Sequence, residues 1–204
     1  MTSVPKIIIP CCDASLSVVK VNSFLFNKFW PEAAVHYLGF SAPEYDFYNE
    51  NHKFFSLAKE QTGGASAWTR HIHNHVRGMK DKFVIFSLDD FLLCEKPNID
   101  MVDIALKLMR KNKNIGRFDL TFDSQVEGNC LNVGSIQGYD VVTKHPRAPY
   151  RISTQPAIWS REFLLKFLDN DWNPWEFEIK GTFEASSQAM PQQTMAFSDE
   201  NMIT

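Results

Sequence analysis

The sequence predicts a single α/β domain, built on a mixed, mostly parallel central sheet flanked by helices. Three observations predict it. Short apolar runs such as Ile7-Ile8-Ile9 and Phe83-Val84-Ile85-Phe86 suit strands covered on both faces. Several of these runs alternate with longer segments of helical spacing, as parallel strands joined by helices require. A chain of 204 residues with 44% hydrophobic content can also fill one sizeable core. Residues 1–185 are expected to form this domain, and 186–204 a tail or linker toward a possible further domain.

Composition excludes several function classes. Twenty-one Lys and Arg against 24 Asp and Glu leave a formal net charge of −3, with no bias toward nucleic acid or an anionic membrane. No run approaches the length of a membrane span, and Met1 to Lys6 lack a basic-then-apolar leader pattern. The cysteines Cys11, Cys12, Cys94 and Cys130 form no C-x-x-C pair. A reduced, cytoplasmic protein is the expectation.

The first strand is Lys6-Ile7-Ile8-Ile9-Pro10. Asp13 follows in a tight loop, and Ser15 is placed to cap a helix through Val18, Val19 and Phe26. The loop beyond a strand's carboxyl end is where open α/β sheets bind ligands, so Asp13 is a candidate nucleotide contact as well as a candidate cap. Ala34 to Phe40 reads as the second strand, and a short helix is expected around Phe54 to Lys59. Thr62-Gly63-Gly64-Ala65-Ser66 leads into a helix over Ala67 to Lys80, without the Lys-Ser or Lys-Thr of a phosphate loop. Trp68 and Arg70 near its start could cover a flat ring and hold a diphosphate, with packing and surface charge as the alternative. His71 and His75 share a face of this helix, but no Glu follows His71 as a zinc protease would require.

Phe83-Val84-Ile85-Phe86-Ser87-Leu88-Asp89-Asp90 organises the chain. It reads as a buried strand delivering two adjacent carboxylates at its carboxyl end. Paired carboxylates repel and resist desolvation, so folding alone gives little reason for them unless they form a solvated turn or cap. A divalent cation reverses that balance, because hard oxygen ligands suit magnesium or manganese.

Beyond it, Val102, Ala105, Leu106 and Met109 form the apolar stripe of a helix, and Phe118 to Phe122 alternates as a half-exposed strand would. Glu127 to Pro149 is expected to be a long loop or β-ribbon over the active face. Tyr150 to Ser153 reads as a strand, and Ser160 as the cap of a helix over Arg161 to Leu168. In Asn173-Pro174-Trp175-Glu176-Phe177-Glu178 the acids alternate with aromatics. If extended, this segment points Glu176 and Glu178 to one face, where a carboxylate beside aromatics could serve as a general base.

Three segments together resemble nucleotide-sugar glycosyltransferases of the GT-A fold. They are Phe83 to Phe91, Tyr150 to Trp159 with its following helix, and Asn173 to Glu178. The nearest resemblance is to the N-terminal glycosyltransferase domains of chlorovirus capsid-glycosylating proteins. It implies a metal-dependent transfer of a hexose, or a deoxyhexose such as L-rhamnose, from a UDP-sugar to a glycan or glycoprotein acceptor. The metal, manganese or magnesium, would bind Asp89 or Asp90, with Ser87 standing where an Asp-x-Asp motif has its first acid. Donor contacts are expected at Asp13, Trp68, Arg70, Ser87, Leu88, Asp89, Gln155 and Trp159. Glu178, with Glu176 in reserve, is the expected base of an inverting enzyme. A sugar-phosphate nucleotidyltransferase and a non-catalytic nucleotide-sugar-binding module are the alternatives.

Overall fold

A computed structural model describes residues 4–58, 67–122, 129–187 and 193–198. Strands β1 (Ile7–Pro10), β2 (Val35–Gly39), β3 (His52–Ser56) and β4 (Phe83–Phe86) are parallel. Helices α1 (Leu16–Phe29) and α2 (Trp68–Gly78) follow β1 and β3. Helix α3 (Ile99–Lys111) leads to β5 (Ile115–Asp119), and β6 (Cys130–Ile136) and β7 (Tyr139–Lys144) form a hairpin. Then come β8 (Ala157–Ser160), α4 (Arg161–Leu168), α5 (Pro174–Ser187) and β9 (Gln193–Phe197). The strands make one sheet in the order β3-β2-β1-β4-β8-β5-β9-β7-β6. It is parallel from β3 through β4, and β8 runs antiparallel between β4 and β5.

Alternation along the central strands divides the core into two layers. Ile7, Ile9, Val35, Tyr37, Ile85 and Ile158 pack under α1 and α3. Ile8, Leu38, Val84, Phe86, Ala157 and Trp159 pack under α2, α4 and α5. Both faces are therefore covered, which is why these strands read as continuous apolar runs.

The structure corrects five local expectations. His52–Ser56 is strand β3 rather than part of a helix; its aromatics pair beside β2. Tyr150 to Ser153 is a turn, entered at Tyr150 with φ 51°. Strand β5 lies in the sheet interior and is buried throughout, so its alternation does not mark a wet face. Asn173 to Glu178 is the start of a helix, not a strand. Finally, residues 193–197, expected in a C-terminal tail, form β9 between β5 and β7, with Thr194 to Phe197 buried. Of the loop or ribbon expected over 127–149, residues 127–128 lie outside the described residues and 130–144 form the β6–β7 hairpin, whose Gln137-Gly138 turn has φ of 54° and 89°. Two successive positive φ values give the twist that tight hairpins need.

Candidate active site

Strand β1 lies between β2 and β4, both parallel to it, and the loops after β1 and β4 emerge side by side. This is the topological switch point at which open α/β sheets bind ligands. Asp13 stands on the first loop and Asp89-Asp90 on the second. Asp13 accepts hydrogen bonds from the Ser41 amide at 2.9 Å and the Ser41 hydroxyl at 2.6 Å. These bonds tie the β1 and β2 loops together and hold the Asp13 carboxyl below its usual range.

The acidic turn is fixed from beneath. Asn22, fully buried on α1, donates its amide to the carbonyls of Asp89 at 3.2 Å and Phe91 at 3.1 Å. Its own oxygen accepts the Tyr37 hydroxyl at 2.8 Å. Asn22 and Ser23 lie in the Val19–Phe26 stripe of α1, and a polar pair inside an apolar stripe was the one sequence signal for this network. Burial pushes the Asp89 carboxyl up, a Ser15 hydrogen bond pulls it down, and the neighbouring Asp90 pushes it up further. Asp90 itself is exposed. A half-buried carboxylate beside a second acid is the electrostatic setting that a hard divalent cation relieves.

Among the described residues, no group of three or more His, Cys, Asp or Glu side chains is arranged to hold a metal. The protein can therefore offer the pair Asp89 and Asp90, and magnesium-type sites commonly combine one or two carboxylates with substrate phosphates. The pair fits such a cation. Ser87 is buried and turns its hydroxyl to the Leu88 carbonyl at 3.3 Å, so it is no substitute for a first acid. Leu88 is half-buried on the same turn. His75 meets His36 of β2, with ring nitrogens 3.3 Å apart, while His71 lies edge-on to Phe40.

The antiparallel strand β8 brings a second set of groups to the same edge, because Ala157 pairs with both Phe86 and Asp119. Gln155 sits just before it, half-buried, with a side-chain oxygen that is buried and has no partner among the described residues. Glu178 accepts the Thr154 amide at 2.7 Å and the Thr154 hydroxyl at 2.9 Å, both on Oε1. Trp68 leans edge-on against Phe86 and Phe177, and Arg70 forms an exposed ion pair with Asp171.

Two expected site residues are placed elsewhere. Glu176 closes a capping box at the start of α5, accepting from the Asn173 amide at 3.1 Å while Asn173 accepts from the Glu176 amide at 2.8 Å. It also pairs with Lys180 at 2.7 Å, and these bonds hold its carboxyl below the usual range. That environment suits a cap rather than a base. Trp159 is fully buried among Phe163, Phe167 and Phe177, so it lines no open pocket.

Sequence reading missed a buried charge cluster behind this edge. Asp119 pairs with Arg117 at 2.5 Å and with Lys144 at 3.1 Å, and all three are buried. Arg117 also donates to the Gln155 carbonyl at 3.2 Å and lies 5.1 Å over the Trp159 ring.

No protein-family model matches the sequence, and a search of curated proteins found no match. Solved structures do resemble it. TarS 1–349 of S. aureus in complex with UDP matches at TM-score 0.54 and 12% identity, covering 98% of this chain and 59% of that one. A cytidylyltransferase from Leptospira borgpetersenii matches at TM-score 0.53 and 10% identity, covering 98% and 77%. The mannosyltransferase PcManGT from Pyrobaculum calidifontis, in complex with GDP-Man and Mn2+, matches at TM-score 0.50 and 11% identity, covering 85% and 50%. The chain thus spans half to three-fifths of the TarS and PcManGT chains. No helix among the described residues is long and apolar enough to cross a membrane. The fold is α/β and GT-A-like, an architecture shared by nucleotide-sugar glycosyltransferases and nucleotidyltransferases.

Proposed function

We propose that the chain is a metal-dependent glycosyltransferase, moving a hexose or a deoxyhexose such as L-rhamnose from a UDP-sugar to a glycan of a glycoprotein, with inversion. Capsid glycosylation is the setting favoured by the sequence resemblance. The observation that carries the reading is the desolvated Asp89 carboxyl beside Asp90 at the switch point, on a turn clamped by Asn22. Asp89 and Asp90 would hold manganese or magnesium, which neutralises the charge of a departing diphosphate. Asp13, on the adjoining loop, would meet the nucleoside. Trp68, Arg70 and Gln155 would contact the donor's flat, anionic and hydroxylated parts. Glu178 would take the acceptor's proton; the Thr154 bonds on Oε1 orient its carboxylate.

The likeness to a cytidylyltransferase keeps nucleotidyl transfer as the second reading. Against it, the loop after β1 presents Asp13 rather than a glycine-rich cradle of amides for a triphosphate. One assay separates them. A panel of UDP-sugars with manganese should yield free UDP, and Glu178→Gln should slow that release by about 100-fold or more. Pyrophosphate release from a nucleoside triphosphate and a sugar phosphate, without turnover of any UDP-sugar, would select the second reading.

A further inference from the structure

We propose that the opposite edge of the sheet carries a second ligand site, for a phosphorylated organic anion of nucleotide size. A cleft of about 680 Å3 opens where β4 and β5 begin and β8 ends, at the far end of β4 from Asp89. That volume lies within the range of small-molecule sites. Its walls carry Lys80, Lys82, Arg110, Lys113 and Arg161 against two acids, Asp81 and Glu162. Five cations against two acids is a local excess of three positive charges, on a chain whose formal net charge is −3. Asp81 is moreover already paired with Lys6 at 2.8 Å. Phe83, Met109 and Ile115 give the cleft an apolar portion.

Two further features point the same way. Helix α4 starts in this wall; Ser160 at its N-cap makes no side-chain capping bond, the Arg161 amide donates to the Lys82 carbonyl at 2.9 Å, and the remaining first-turn amides give the helix its positive end beside the cleft, with Glu162 in that turn. Arg161 is held in place by the carbonyls of Met79 at 2.8 Å and Arg77 at 3.3 Å, yet its Nε is buried with no partner among the described residues. Arg110 is accounted for by the negative end of α3. Lys80 follows the end of α2 and Lys113 the end of α3, so helix dipoles favour both, whereas Lys82, at the start of β4, has no such account; the five cations together gather like charge that a multivalent anion relieves.

Calorimetric titration with inorganic triphosphate in EDTA tests this, because a metal-dependent donor site is silent under those conditions. The wild type and Asp89→Asn should bind it saturably and alike. Lys82→Glu/Lys113→Glu should weaken binding by about tenfold or more, equivalent to at least ~1.4 kcal/mol. The milder pair Lys82→Gln/Lys113→Gln, checked by thermal unfolding, serves if the charge reversal does not fold. Absence of saturable binding, equal binding by the folded cleft variant, or loss of binding in Asp89→Asn would each overturn the site. None of these results bears on UDP binding in manganese.

Discussion

Asp119 holds two buried cations, and its removal tests how the floor of the site is built. Arg117 and Lys144 are both inside the protein, and burial lowers the affinity of each for its proton. Without the carboxylate they would face each other unneutralised. Asp119→Asn should therefore destabilise the fold by about 3–5 kcal/mol, read as a shift in urea midpoint. An unchanged midpoint would mean that the cluster is wetter than its burial indicates. Asp89 and Asp90 were legible in the sequence because acids follow an apolar run abruptly. Arg117 and Asp119 were not: charges alternating with apolar residues read as a solvated strand face. Their partner Lys144 lies on another strand, brought close only by the sheet.

Helix α5 is where local pattern misled most. Trp175, Glu176, Phe177 and Glu178 alternate with period two, yet the segment is helical because Asn173 caps it, Pro174 fits the first turn and Glu176 returns the cap. The Asn-x-x-Glu spacing was present in the sequence and outweighs four alternating residues. Burial of Phe177, Gly181 and Ala185 supplies the helical period. Gly181 lets the helix approach Ile152, whose side chain lies 3.0 Å from where a Cβ would stand. Asn173→Ala should cost about 1 kcal/mol in thermal or urea unfolding. If it costs nothing, packing alone sets the start of α5. Strand β9 was hidden differently: its five residues sit in a Ser-, Gln- and Pro-rich surround, and only pairing with β5 and β7 identifies them as core.

For the molecule as a whole, two-sided burial of the sheet was legible and its order was not, since β8 and β9 insert by long-range pairing. That burial also sets the acid response. His36 and His52 are pulled down from the ordinary histidine value to about 4, in both cases mainly by burial, and for His36 also by His75. Groups depressed in this way bind fewer protons folded than unfolded, so unfolding becomes more favourable as pH falls from about 6.5 to 4. The melting temperature should decline across that window, and less steeply in His52→Asn, where the Ser23 contact at 2.9 Å can be kept by an uncharged group. A flat profile in the wild type would place both rings in water.

The most direct test of the donor site is calorimetric binding of UDP with and without manganese, on the wild type, Asp89→Asn and Asp90→Asn. The account predicts micromolar-range binding, equivalent to about −8 kcal/mol, that requires the metal and collapses when Asp89 loses its charge. UDP binding that ignores both manganese and the two aspartates, or no binding at all, would contradict it and return the pair to the role of a solvated turn.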